Sequence, residues 1–127
     1  MKRNVFMIIA AVLAVFFGGH MLLAPGKMLE NMANFNTEEM HHVLQWGGSV
    51  LISIGLINFL ARNDDGSKAL RAIMIGNIFM HLLAFAVDVY DYKIDFIKSS
   101  GVIMGAVVHG LLVFGFGFYL SKLPRKV

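Results

Sequence analysis

Residues 69–89 read ALRAIMIGNIFMHLLAFAVDV, and the fold turns on whether this stretch is a core helix of a soluble protein or a membrane span. At about 1.5 Å per residue it is long enough to cross a hydrocarbon layer roughly 30 Å thick. After Arg71, its polar members are Asn77, His81 and Asp88. A helix turns about 100° per residue, so Asn77 and His81 lie about 40° apart and Asp88 returns to within about 20° of His81. The three therefore share one stripe on an otherwise oily rod.

Three further apolar stretches, residues 5–24, 43–61 and 102–120, have similar length. The whole chain of 127 residues is 57% hydrophobic and only 15% charged, and its mean hydropathy is +0.70. Such a composition does not suit a water-soluble domain. A span must satisfy its own backbone hydrogen bonds, and barrel strands would be about 10 residues with strict alternation, so the spans read as helices. The expected fold is an all-α integral membrane four-helix bundle forming a single domain.

Basic residues set the expected orientation. Lys2 and Arg3 precede the first span, Arg62, Lys68 and Arg71 flank the second connection, and Lys122, Arg125 and Lys126 follow the last. That side is cytoplasmic by the positive-inside rule, with both termini in. Glu30, Glu38, Glu39, Asp88, Asp91 and Asp95 fall towards the opposite face. The pI near 9.4 is then explained by topology and anionic headgroups, and no nucleic-acid partner is implied. The opening MKRNVFMIIAAVLAVFFGGH has the charge pattern of a signal peptide, but its apolar run is long for one and reads as the first span. With no cysteine, thiol redox chemistry, disulfides and thiolate metal sites are excluded.

Pro25 and Gly26 should end the first helix and turn residues 27–36 along the outer interface, with Met28, Leu29, Met32 and Phe35 on one face. Asn36 is a candidate cap for the second span with Glu39 reaching back, Asp65 or Ser67 for the third, and Ser99 or Ser100 for the fourth. Tyrosines and charges in DVYDYKIDFIKSS suit an interfacial belt.

On the second span His42, Gln45, Ser49 and Ser53 fall within one arc of about 80°. Gly101, Gly105 and His109 align on the fourth, and Ala10, Ala14 and Gly18 on the first. Small residues let helices approach closely, and polar side chains in lipid need partners across an interface. All four stripes are expected to face inward. His81, His109 and Ser53 should then meet near mid-depth, with His20, His42, Gln45 and Asp88 towards the outer end.

Each feature has a plainer reading. Histidines, Asn77 and Gln45 can act as interhelical glue, Gly101 and Gly105 as packing, and the nine methionines as adaptable core. Glu38 and His42 stand one turn apart, so with His20 and Asp88 they are candidate metal ligands. Three functions remain open. The first is a site for a small or lipid-like ligand, lined by His81, His109, Asn77, Ser53, Ser49, Gln45, His42 and Asp88. The second is b-type haem electron transfer with His81 and His109 as axial ligands. The third is an accessory subunit or homo-oligomer in a larger membrane complex. No side chain declares a catalytic role.

FFGGHMLLAPGKML at residues 16–29, ARNDDGSKALR at 61–71 and VDVYDY at 87–92 resemble the DoxX-like group of small four-helix bacterial membrane proteins. The resemblance implies a left-handed four-helix bundle in a bacterial inner membrane, with activity mostly unassigned, and carries over no functional residue. The chain lacks the embedded first-helix glutamate of small multidrug exporters and the arginine-rich glutathione site of the eicosanoid-enzyme family.

Overall fold

The structure is a computed structural model that describes residues 1–124; Arg125 and Lys126, counted above with the basic cluster, lie outside the described residues. It is all-helical: α1 (Arg3–Leu23), α2 (Pro25–Met32), α3 (Glu38–Ala61), α4 (Lys68–Lys93) and α5 (Ser99–Ser121). Four of these, all but α2, are long and apolar enough to cross a membrane. The chain is a multi-pass membrane protein.

Local chemistry sets the boundaries. Pro25, whose missing N–H costs nothing in a first turn, opens α2 directly after α1 stops at Ala24. Thr37 rather than Asn36 caps α3, its hydroxyl accepting from Met40 N–H at 3.4 Å. The third helical residue is then Met40, so no capping box with Glu39 forms. Asn36 instead donates to Gly26 O at 3.3 Å and pairs with His41 Nε2 at 2.6 Å, tying α2 to α3. Ser67 caps α4 as anticipated. Asp64, not Asp65, organises that turn by accepting from Gly66 N, Ser67 N and Ser67 Oγ at 2.8–2.9 Å. These bonds, those from Ser67 foremost, hold the Asp64 carboxyl below its ordinary pKa. Gly66 sits at φ +91°, where a side chain would be strained.

Neither Ser99 nor Ser100 caps α5. The N-cap is Lys98, with no side-chain cap, because the chain before it is held extended against the end of α2. Asn34 N–H donates to Phe96 O at 2.9 Å and Lys98 N–H to Met32 O at 2.8 Å. Ser100 Oγ donates to Asn31 O at 3.2 Å. Residues 31–34 thus strap the end of the molecule opposite the termini to the α4–α5 connection.

The spans pair off. α1 packs along α3, and α4 along α5, while α3 touches α4, and α1 touches α5, at few places. The α1–α3 seam is made of small residues. A Cβ on Gly18 would lie 2.7 Å from Gly48 O, and one on Gly48 would lie 2.6 Å from Gly18 O. Gly55 backs onto Ala11 O in the same way, at 3.0 Å. In lipid, where tails are as apolar as Leu, such backbone approach is what holds helices together. The two pairs join at the end carrying the termini. Phe6, Met7, Leu70, Met74, Leu112 and Phe116 form the buried core there, with Phe6 edge-on to Phe116 at 4.9 Å. Arg71 donates to Leu123 O at 3.1 Å and also to Pro124 O, and Arg3 donates to Asp64 O.

Candidate functional site

Strapped at one end and packed at the other, the two helix pairs leave a cavity of about 480 Å³ between them. This lies within the roughly 300–1,000 Å³ usual for small-molecule sites. Its walls are mostly apolar. Five of the nine methionines, Met21, Met28, Met32, Met80 and Met104, line it although they are scattered in sequence. Thioether side chains reshape easily around an occupant.

The polar groups of the cavity form two layers. In the layer nearer the termini, Asn58 of α3 and Asn77 of α4 bond reciprocally, amide to carbonyl, both at 3.0 Å. Asn77 also donates to Ile73 O at 2.8 Å. The two amides thereby satisfy one another while buried, and the pair ties α3 to α4 across the cavity. In the deeper layer, His81 of α4 and His109 of α5 meet Nδ1 to Nδ1 at 2.9 Å. Asp88 Oδ2 stands 3.6 Å from His109 Nε2, inside ion-pair range but too long for a direct hydrogen bond. Gly105 makes room for that carboxylate: a Cβ there would collide with Asp88. Phe116 stacks on His81 at a centroid distance of 6.4 Å.

The chemistry of this Asp88–His109–His81 chain follows from its geometry. Two facing Nδ1 atoms share one proton, so one ring donates and the other accepts. With His109 neutral and its proton on Nε2 towards Asp88, His81 Nδ1 donates and His81 Nε2 is left an acceptor. A second proton on His109 reverses the bond, and His81 Nε2 then carries the proton as a donor. Protonation at one end thus changes what the other end offers.

The sequence-based site residues divide accordingly. Asn77, His81, His109 and Asp88 line the cavity. His42, Ser49 and Ser53 do not; all three are exposed, and the serines bond back to their own helix at Gln45 O (3.0 Å) and Ser49 O (2.9 Å). Ser53 therefore does not join the histidines at mid-depth. Gln45 donates to Leu22 O at 3.3 Å and serves the α1–α3 seam. The expectation that this arc of α3 faces inward is corrected, because Gly48 and Gly55 must face α1 and their packing sets the rotation of the helix. The inward arc is instead Gly47, Leu51, Ile54 and Asn58. Asn58, only 1% exposed, is the residue that sequence reading missed. It lies about 140° around the helix from Gln45, so no single stripe holds both. Its signal was available: an amide within ISIGLINFLA needs a partner in lipid.

Two of the other candidate readings find no matching geometry. Among the described residues no cluster of three or more His, Asp or Glu side chains is arranged to hold a metal, so His20, Glu38, His42 and Asp88 are not gathered into a site. An iron held between two imidazoles needs their nitrogens about 4 Å apart, two bonds of roughly 2 Å. His81 and His109 are already bonded to one another at 2.9 Å, so they do not flank a haem.

No known family, curated protein or solved structure matches this chain.

Proposed function

We propose that this protein is a membrane-embedded binder or carrier of a small or lipid-like molecule, held in the cavity between the two helix pairs. The observation that carries the reading is the Asp88–His109–His81 chain opening on a mostly apolar space of about 480 Å³. Ionisable side chains within membrane spans are costly and rare, so three of them beside a cavity favour a site over filler. An apolar body would meet the methionine walls, and one polar group would meet His81. The basic residues at the termini end support a cytoplasmic location for both termini, and the DoxX-like resemblance supports a bacterial inner membrane.

The serines on the outer arc of α3 satisfy themselves on their own helix, so they make no demand for a partner subunit. Native mass spectrometry tests the reading. Wild-type protein should retain a molecule that Ala84→Phe, which fills the cavity, and the His81→Leu/His109→Leu double variant both release while staying folded. Equal retention by all three, or none by the wild type in native lipid, overturns it.

A further inference from the structure

A second cavity of about 300 Å³ adjoins the first on the side between α3 and α4. Ile54, Asn77 and Met80 line both, and Ile57, Ile73 and Gly76 line only the second. We propose that this is a lateral portal, through which a neutral, membrane-dissolved molecule with a small uncharged hydrogen-bonding group enters from the bilayer. The inference rests on the reading of the main cavity as a binding site and adds the route and the ligand class.

Both ends of the main cavity are covered. At the outer end α2 lies across the cavity, with Met28 and Met32 in its wall and residues 31–34 strapped to the α4–α5 connection. At the opposite end Phe6, Met7, Leu112 and Phe116 pack without a gap for solvent, each 6% exposed or less. Between α3 and α4, by contrast, the wall beside the Asn58–Asn77 pair opens to the exterior of the bundle. Gly76 is exposed, and a Cβ added there would touch nothing within 4 Å. Ile57 is 47% exposed on the facing helix.

Depth then selects the ligand. Gly76 lies eight residues inside the start of α4, about 12 Å along the helix, and Ile57 four residues, or about 6 Å, inside the end of α3. The opening therefore meets acyl chains rather than headgroups. A phosphate or carboxylate would have to leave the interface to reach it, at a cost of several kcal/mol. An uncharged alcohol or carbonyl on an apolar body reaches that depth at a far smaller cost than a charged group. Inside the portal the first polar groups are the paired amides of Asn77 and Asn58, and one turn on from Asn77 along α4 is His81. A single hydrogen-bonding head can pass from one to the other while its tail trails towards the lipid.

The test uses full-length protein in phosphatidylcholine vesicles and three probes sharing one chain with an anthroyloxy fluorophore: the fatty alcohol, the fatty acid and the lysophosphatidylcholine. Energy transfer from Trp46, the one tryptophan, beside cavity-lining Gly47, reports arrival. The alcohol should bind saturably and the two charged probes about tenfold more weakly or worse. Gly76→Phe, and independently Ile73→Phe, should slow uptake of the alcohol about tenfold while changing its final occupancy little. Ala84→Phe should abolish binding. Wild-type uptake rates in both plugged variants overturn the portal and leave the site standing. Charged probes binding as tightly as the alcohol overturn the ligand class. Binding unaffected by Ala84→Phe puts the probe outside the cavity and removes the proposed function together with the portal.

Discussion

The seam between α1 and α3 and the seam between the two helix pairs solve the same problem in opposite ways. In the first, glycines bring backbones to within reach of each other's carbonyls, and no polar side chain stands in the middle. In the second, methionines hold the walls apart and amides, imidazoles and a carboxylate bridge what remains. Lipid supplies no hydrophobic force to close a gap between helices, so a seam stays open unless small residues close it. The glycines of the closed seam, whose backbones meet those of the facing helix, make the framework, while the methionine walls of the other leave room for a guest.

The largest effect that would break this contrast is a side chain forced into the closed seam. Gly48→Leu should cost upwards of about 3 kcal/mol, since backbone on both sides cannot yield, whereas Gly19→Leu, one residue from Gly18 but facing open space, should be silent. Thermal unfolding in detergent measures both. Similar losses at the two positions would show that close approach is not what holds α1 to α3.

A middle-sized effect probes the open seam. Asn58→Leu leaves the Asn77 carbonyl and one amide hydrogen unpaired while buried and should cost about 1–3 kcal/mol. The Asn58→Leu/Asn77→Leu double variant should recover much of that, because both unpaired groups are gone. Strict additivity in the double-mutant cycle would remove the amide bridge from the account. The histidine pair should respond more weakly in stability, by about 0.6–1.7 kcal/mol for His109→Leu, and more strongly in ligand retention. In nitrogen NMR of ring-labelled protein, one Nδ1 of the pair should appear protonated and the other not; two protonated Nδ1 atoms would contradict the shared hydrogen bond.

The smallest effect belongs to the turn at the termini end. Because the pKa of Asp64 is depressed in the folded state, its contribution is present above its ordinary, unfolded value and is lost as pH falls through the folded one. Asp64→Asn should lower the melting temperature slightly at neutral pH, with the difference from wild type disappearing in acid. A difference independent of pH would assign the effect to the turn's shape rather than to its charge.

That there are four long apolar helices was legible because length and hydropathy are properties of the chain alone. The stripe of Asn77, His81 and Asp88 on α4 was legible too, since it needs only the helical repeat, and the cavity does collect all three with His109. The same method failed on α3. There Ser49 and Ser53 made a stripe as regular as that on α4, yet they turn outward and bond their own carbonyls. Caps were legible where one side chain suffices, as at Ser67, and illegible at Lys98, where distant backbone in α2 holds the chain.

What the sequence determined by itself, then, was four apolar helices and the circumference position of each polar group. Which arc of each helix faces inward was decided only by tertiary packing. A helix that is apolar nearly all round has no polarity to orient it in lipid, so Gly18, Gly48 and Gly55 set the rotation of α3 by where backbones can touch. That rotation carries Asn58 to Asn77 and leaves the space beside His81 unfilled.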